Sequence, residues 1–346
     1  MLCRMLHWRS FSTQPASSRK ETGWTGLCLL GGNIAMSFWT SAADVAQQVV
    51  ILFLLMLVGA ILAKLQWLTE TGAKEITKLL LTFVSVCVIV NSFLAVENTP
   101  GKMGEMGIAA LASILSVAVG AAFALPLFRR RPAAQRSVLR FGSSFSNCGF
   151  MGLPLVNALL GAEGVFLVSI FIAVFQIFVW TYGVMLYRRE GEKLSPVKAL
   201  LNPGVIGVVI GLPFFLFSLP MPEIAASTMA GLGDLNTPLA MIVTGFYLAH
   251  ADLRPRKGDG PLWMVMGLRL LVVPAVSFGI LYLLGVRGLT LVACMVPLCA
   301  PSASNTTLFA VMFEADKEMS SRMVTQCTLL SIFTMPVLIS LARVVA

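Results

Sequence analysis

The sequence predicts an all-α integral membrane protein whose ten transmembrane helices form two inverted five-helix repeats with crossed broken helices. Hydrophobic residues make up 57% of the 346 residues and charged residues only 12%, and the mean hydropathy is +0.86. Soluble domains carry about 25% charged residues, so most of this chain is predicted to lie in lipid. Two interrupted apolar segments at corresponding places in the two halves predict the repeat.

Ten apolar segments approach or exceed the roughly 20 helical residues that cross a bilayer core. Short connections separate them, so no soluble domain is inserted between spans. In chain order the predicted spans are 45–63, 79–96, 106–128, 138–161, 164–187, 204–219, 234–250, 261–284, 289–313 and 323–342. The first repeat is predicted to occupy residues 36–203 and the second, inverted repeat residues 204–346.

The positive charges predict the orientation of these spans. Lys and Arg are concentrated in the connections after odd-numbered spans, whereas the connections after even-numbered spans hold only Lys102 and Arg287. Because Lys and Arg accumulate on the cytoplasmic side, the odd connections are predicted to be cytoplasmic and both termini extracytoplasmic. The net charge of +9 therefore reports topology and does not indicate binding to nucleic acid.

Residues 1–35 depart from this charge pattern. They carry Arg4, Arg9, Arg19 and Lys20 in a segment that is predicted to lie outside. The segment is rich in Arg and Ser and poor in acidic residues, as transit peptides are. Met36 opens the stretch "MSFWTSAADVAQQ", which holds no Lys or Arg and suits an external start. We expect residues 1–35 to be an over-called start or a disordered tail, with a targeting peptide as the alternative.

Each repeat carries an interruption in its fourth span. Span four contains "SNCGFMGLP" (146–154) and span nine contains "CAPSASNTT" (299–307). Because each half has an odd number of spans, the second half must enter the membrane from the opposite face. Non-helical backbone at membrane depth is tolerated only where it is buried in protein or lines a wet cavity. Matched broken helices therefore indicate a transporter binding site.

The residue types at both interruptions favour an anion. Pro154 frees a carbonyl from its helical hydrogen bond, and glycines let the backbone leave helical geometry. Half-helix N-termini meet, and their unpaired amides and positive dipole ends suit a negative charge. Neutral Asn and Ser side chains can add hydrogen bonds without burying a charge. The predicted substrate-binding residues are Asn147, Gly149, Gly152, Pro154, Pro301, Ser302, Ser304, Asn305 and Arg269.

Several of these side chains also have a structural interpretation. Asn147 could cap a half-helix, and Ser304 and Asn305 could bond between helices. Arg269 lies eight residues into span eight, about 12 Å at 1.5 Å per residue. It could snorkel to the cytoplasmic edge or neutralise a carboxylate. Asp234, near the outer mouth of span seven, is a weak candidate for a proton site and is better explained as an N-cap.

Residues that bind metals or perform acid–base chemistry are scarce. Seven cysteines show no paired spacing and are interpreted as small hydrophobic side chains. With two histidines in the chain, the spans offer no His–carboxylate cluster for a membrane-embedded enzyme. No stretch matches the phosphate-binding pattern G-x-x-x-x-G-K-[ST]. No metal, cofactor or catalytic residue is therefore predicted.

Four stretches of the chain resemble the auxin efflux carrier family, in its bacterial permease-like branch. They are "SSFSNCGFMGLPLVNALLG" (143–161), "NPGVIGVVIGLP" (202–213), "TPLAMIVTGFYLA" (237–249) and "PLCAPSASNTTLFAVMF" (297–313). The pattern Asn-x-x-x-Met-Gly-x-Pro at 147–154, combined with Asn202-Pro203 at the opening of span six, is the most specific part of the resemblance.

The resemblance implies a fold shared with bile-acid symporter-like and sodium–proton antiporter proteins. Spans one, two, six and seven would form a scaffold and the interface of a homodimer. The other spans would form a transport domain that moves like an elevator. Asn147 occupies the place of the asparagine that contacts the substrate carboxylate in plant members, and Pro154 and Pro301 match the two crossover prolines. The short segment 188–203 favours the bacterial branch, whose members are described as permeases for malate or other carboxylates.

The sequence and the resemblance together predict a secondary transporter of a small organic anion in the inner cell membrane. Its partners would be the anion and the lipid bilayer, with proton or sodium coupling left open. A cation-coupled antiporter of related fold is the alternative, although neither interruption holds the Asp or Glu that such chemistry uses. A non-transporting sensor or a channel is the remaining interpretation.

Overall fold

The computed structural model describes residues 23–187, 203–250 and 258–346. Outside these ranges lie residues 1–22, 188–202 and 251–257. They include Asn202 and several basic residues for which predictions were made. Within the described ranges all regular elements are helices. In order they are α1 (Gly23–Lys64), α2 (Glu70–Ala95), α3 (Lys102–Leu127), α4 (Ala133–Ser144), α5 (Cys148–Tyr187), α6 (Pro203–Phe217), α7 (Glu223–Asp234), α8 (Asn236–Ala249), α9 (Gly260–Leu283), α10 (Gly288–Cys299), α11 (Asn305–Met312) and α12 (Lys317–Val345).

Six of the described helices are long and apolar enough to cross a membrane. They are α1 from Val45 onward, α2, α3, α5, α9 and α12, and the apolar parts of α6 and α10 are shorter. Large apolar side chains point outward on these helices, as on α1, where Val50, Leu54 and Leu57 are each about half exposed. Apolar outer faces of this extent suit lipid. The chain is therefore a multi-pass helical membrane protein, as predicted.

The helices differ from the predicted spans at three places. α1 begins at Gly23, so the described end of the predicted tail is helical. Spans four and five share α5, which bends sharply at Gly161 (φ 60°, ψ −152°), a conformation that favours glycine. A further helix, α7, precedes predicted span seven and leads into α8 through Leu235, whose backbone is α-helical (φ −67°, ψ −18°).

Two pairs of helices flank the interrupted segments, α1 with α8 and α2 with α6. The first pair is packed so closely that glycine is required. A Cβ on Gly59 would lie 2.0 Å from the carbonyl oxygen of Ile242, and one on Gly245 would lie 1.8 Å from that of Met56. Small residues at membrane helix interfaces let two backbones approach in this way.

The interrupted segments lie in the interior of the molecule. Every residue of α10 from Thr290 to Cys299 is buried, and α10 packs against α3, α5, α9 and α12. A helix that is apolar on all sides is a core helix. The end of α10 is therefore screened from lipid, which is the environment that a break in a membrane helix requires.

Candidate functional site

The first interruption separates α4 from α5. α4 ends at Ser144, Phe145 is extended (φ −111°, ψ 126°), and α5 opens with a π turn over Cys148–Gly152. The Asn147 carbonyl oxygen accepts hydrogen bonds from two amides of this turn, at 3.1 and 3.2 Å. Pro154 accounts for the irregular turn, because it has no N–H to return to the carbonyl four residues back.

The second interruption separates α10 from α11. α10 ends at Cys299, Ala300 is extended (φ −63°, ψ 145°), and α11 begins at Asn305. The turn into α11 is closed by Thr306 N, which donates to the Ala303 carbonyl oxygen at 3.0 Å. Both segments therefore have the same form, a helix, a few extended residues and a second helix.

The two interruptions lie against each other. Asn147 N donates to the Pro301 carbonyl oxygen (2.7 Å), and Ala303 N donates to the Phe145 carbonyl oxygen (2.9 Å). Together these bonds form a single antiparallel bridge in an otherwise helical structure of the described residues. The bridge satisfies backbone groups that lipid could not satisfy, so each break stabilises the other.

Side chains reinforce this bridge, whose central residues are Ser146 and Ser302. The Ser302 hydroxyl donates to the Gly142 carbonyl oxygen (2.9 Å), and Ser302 N donates to the thiol sulfur of Cys327 (3.4 Å). The Asn147 side-chain amide donates to the Ser304 hydroxyl oxygen across the two segments (3.4 Å). Ser302 is fully buried, so its role in this structure is to hold the two segments together.

The first turns after the interruptions form the accessible part of the site. Asn147 is only 4% exposed, whereas Gly149, Phe150, Ser304 and Asn305 are half-buried. The first amides of α5, from Cys148 to Phe150, make no backbone hydrogen bond within the described structure, as expected at a helix N-terminus. These N–H groups without a backbone acceptor and the Ser304 hydroxyl lie at the same junction, where two helix N-termini begin.

The nine predicted residues occupy different environments within this junction. Gly152, Pro154, Pro301 and Ser302 are buried in the framework, and a Cβ on Gly152 would already touch Pro297 at 3.4 Å. A Cβ on Gly149 would meet nothing within 4 Å, so this glycine faces open space. The structure thus separates residues that build the junction from those that border its accessible side, which are Gly149, Ser304 and Asn305, with the buried Asn147 hydrogen-bonded to Ser304 behind them.

Arg269 is buried and does not snorkel, so that predicted explanation is wrong, and it forms no ion pair with a carboxylate among the residues that the structure describes. It is fully buried in a π turn of α9 over Leu268–Val272. Its Nε donates to the Ala300 carbonyl oxygen (3.2 Å) and its Nη2 donates to that of Leu298. These carbonyls lie at the end of α10, where the break leaves them without helical donors. Arg269 therefore caps the broken helix with a positive charge at its negative dipole end.

An aromatic cluster, not predicted from the sequence, covers the junction on one side. Phe141 lies 4.4 Å from Phe145 and 5.3 Å from Phe309 between ring centroids. The Tyr187 hydroxyl, at the end of α5, donates to the Thr306 carbonyl oxygen (3.1 Å). The cluster joins α4, α5 and α11. Because its members are far apart in the chain, no local pattern could have indicated it.

A polar cavity of about 700 Å³ between α2, α5, α7 and α8 was also not predicted. Asn91, Asn157, Asp234 and Asn236 line it, together with Leu153, the residue that follows the π turn of α5. Asp234 is the last residue of α7 and does not cap α8. Its predicted role as an N-cap is therefore wrong. Among the described residues, no group of three or more His, Cys, Asp or Glu is placed to hold a metal ion.

Comparison with known proteins places the chain among membrane transporters. A sequence model of the family described as "Membrane transport protein" matches residues 44–339. An uncharacterized transporter of Methanothermobacter thermautotrophicus is 25% identical over 294 residues, which cover 84% of this chain and 96% of the relative. An uncharacterized transporter of Methanocaldococcus jannaschii is 27% identical over 183 residues, 50% of this chain and 58% of the relative.

Proposed function

We propose that the chain, which belongs to the membrane transport protein family of auxin efflux carriers, is a secondary transporter. Its proposed substrate is a small organic anion that carries a carboxylate group. The observation that carries this proposal is the pairing of two helix interruptions whose first turns begin side by side. Paired helix interruptions in a membrane transporter favour a substrate site, because they offer backbone hydrogen-bond donors to a substrate at membrane depth.

The electrostatics of the junction favour negative charge. The N-terminus of α5 directs amides without a backbone acceptor toward the accessible residues, and both α5 and α11 direct positive dipole ends there. Arg269 adds a positive charge behind the break, and none of the described carboxylates forms an ion pair with it. Residues 143–161 and 297–313 contain no Asp or Glu. A substrate carboxylate placed at Gly149 and Ser304, beside Asn147, would accept hydrogen bonds from these donors. It would not need a buried Lys or Arg as a direct partner.

We also propose that the ten spans form two inverted five-helix repeats. The helix pairs support this arrangement, because α1 with α8 joins spans one and seven while α2 with α6 joins spans two and six. A two-fold operation that exchanges span one with six and span two with seven converts the first pair into the second. The same operation exchanges the interruptions in spans four and nine. Their meeting point would lie on the two-fold axis.

This symmetry supports an elevator-type alternating-access mechanism. The pairs of spans one, two, six and seven would form the scaffold and a homodimer interface, and spans three to five and eight to ten the moving transport domain. The bridge and the Arg269 cap join elements of the proposed transport domain alone. The anion could therefore travel with an intact site while the domain slides along the scaffold.

Flux in proteoliposomes tests this proposal. The purified full chain is reconstituted with unlabelled carboxylate inside, and uptake of labelled L-malate, succinate, malonate, lactate and benzoate is followed by counterflow. We expect saturable exchange of at least one of these anions and competition by related ones. Protein-free liposomes and liposomes with heat-denatured protein are the controls.

The same preparation separates the alternatives. Sodium–proton exchange without anion flux would identify a cation-coupled antiporter of related fold. Saturable binding of an anion without exchange would identify a sensor, and conduction that does not saturate would identify a channel. Absence of both binding and flux over the whole panel would contradict the anion proposal.

A further inference from the structure

The packing of α7 and α8 puts Asp234 deeper along the membrane-crossing direction than its place at the predicted start of span seven suggests. α7 packs on the second half of α2 (Ser85–Ala95), and α8 packs on the first half. The two helices together thus run antiparallel to the whole of α2, which is long enough to cross the membrane. Asp234 is 11 residues from Glu223, about 16 Å along the helix at 1.5 Å per residue. That is about half of a 30 Å bilayer core.

The polar cavity gives this carboxylate a wet environment at that depth. The Asp234 side chain is exposed on the cavity wall, and the neighbouring lining residues Asn91, Ser92, Asn236 and Thr237 carry amide and hydroxyl oxygens. A carboxylate inside a membrane segment is costly and is retained where it faces a water-filled cavity and has a functional role. Carboxylate, amide and hydroxyl oxygens are ligands that suit a hard cation.

The charge on the cavity lining is negative. Asp234 is the one charged side chain among the described residues that line it. The nearest titratable residues along the same elements, beyond the lining, are the buried Cys87 and the exposed Glu97, Glu163 and Glu223, each within three residues of a lining residue. On α8 the next titratable residue is Tyr247 near its far end, and His250 follows the helix. A free anion would therefore be repelled along this route unless a cation accompanied it.

The cavity reaches α5 close to the junction of the two interruptions. Leu153 lines it and lies four residues after Gly149, about 6 Å along the helix. Its other walls come from α2, α7 and α8, which belong to the proposed scaffold. A cation at Asp234 would thus sit between the scaffold and the first turn of α5, where it could neutralise Asp234 while the anion occupies the site.

We infer that Asp234, with the oxygen atoms of Asn91, Ser92, Asn236 and Thr237, binds a monovalent cation, a proton or Na⁺, whose movement is coupled to that of the anion. This inference rests on the proposed anion transport. It goes beyond it by making the protein a cation–anion symporter and by assigning the coupling residue.

Gradient-driven uptake tests the inference. The full chain is reconstituted as wild type, Asp234→Asn, Asp234→Glu and the control Glu75→Gln, an exposed carboxylate at the other end of α2. Labelled L-malate, or the carboxylate of the panel that exchanges fastest, is offered under a tenfold Na⁺ gradient, a pH gradient of one unit, or none. With one cation per anion, we expect one gradient to drive up to about tenfold accumulation by the wild type and by Glu75→Gln. Asp234→Asn should accumulate no anion, and its exchange should no longer depend on the cation.

A second measurement keeps the inference testable when a variant or a substrate fails. Replacing choline by Na⁺ at fixed ionic strength should shift the Tm of the detergent-solubilised wild type but not that of Asp234→Asn. A separate change of pH should shift the Tm of the wild type by more than that of Asp234→Asn, since other groups titrate in both, and Asp234→Glu should restore part of each difference. The inference would be overturned if Asp234→Asn accumulated as much anion as the wild type, or if anion exchange by the wild type did not depend on the cation. Either result would still agree with anion transport. Absence of all wild-type exchange would count against the proposed function instead, and an identical cation-dependent Tm shift in both proteins would overturn the Asp234 site.

Discussion

At the scale of single residues, Arg269 shows how a broken membrane helix can be stabilised from behind. A guanidinium offers five donors in a fixed fork, and two of them reach the carbonyl oxygens of Leu298 and Ala300. The same charge raises the electrostatic potential of the junction. Sequence reasoning could recognise that an arginine at this depth is unusual, but it could not identify the acceptors, because they lie on another helix about 30 residues away.

Replacing this cap should destabilise the fold. Arg269→Gln removes two buried donors from the end of α10, and we expect a loss of roughly 2–3 kcal/mol because buried acceptors are left unpaired. Thermal unfolding in detergent measures the change. Arg287→Gln is the matched control, since Arg287 also donates to backbone carbonyls but is exposed. Equal Tm values for Arg269→Gln and the wild type would contradict the capping role.

A substitution of Asn147 can distinguish a structural role of its side chain from contact with the anion. Asn147→Ala keeps the backbone bridge, which uses main-chain atoms, and removes the side-chain amide beside Ser304. Hydrogen bonds to a charged group contribute about 1.5–3 kcal/mol, so we expect anion affinity to fall by about ten- to a hundredfold with a small change in Tm. Binding is measured by competition in the exchange assay, with Asn98→Ala on an exposed connection as control. Unchanged affinity would reduce Asn147 to a structural role.

At the scale of helices, the breaks could be predicted and helix α7 could not. Pro and Gly conflict with a regular helix in lipid, so they are visible in the sequence wherever they occur. α7 was not predicted, because the polar and small residues that it places on the cavity lower its mean hydropathy. A hydropathy window that assumes lipid on all sides fails for such a helix.

Close helix packing makes a prediction at this scale. Gly245→Ala would place a Cβ 1.8 Å from the Met56 carbonyl oxygen, so α1 and α8 would have to separate. We expect a loss of roughly 1–3 kcal/mol, typical of overpacking, measured as a lower Tm. Gly107→Ala on α3, where a Cβ meets nothing within 4 Å, should be neutral or slightly stabilising. Similar Tm changes for both variants would show that the two backbones are not in contact.

At the scale of the whole molecule, composition predicted a multi-pass membrane protein, and the motifs predicted its family. The meeting of the two interruptions was expected from their matched places in the two halves. The bridge between Ser146 and Ser302 was not, since backbone pairing between residues 156 positions apart leaves no local trace. The cavity was not predicted for the same reason, because its walls come from three separate stretches between residues 88 and 237.

The inverted topology can be checked by labelling from one side of the membrane. The five cysteines whose side chains the structure describes are buried, so a background with Cys3 and Cys28 replaced by Ser should react little with an impermeant maleimide. We expect Asn98→Cys and Leu284→Cys to be labelled from outside, and Gln66→Cys and Arg130→Cys only after permeabilisation, following the distribution of positive charge. Labelling of all four from one side would rule out the inverted repeat.

The location of the bound anion tests the central claim most directly. An electron cryomicroscopy map of the full chain in nanodiscs, with the carboxylate that exchanges fastest, would show where it binds. The account predicts density at the start of α5 and α11, within about 3.5 Å of the Gly149 amide and the Ser304 hydroxyl, and none in a map without the anion. Density at another place, with the junction of the two interruptions unoccupied or the interruptions apart, would contradict it.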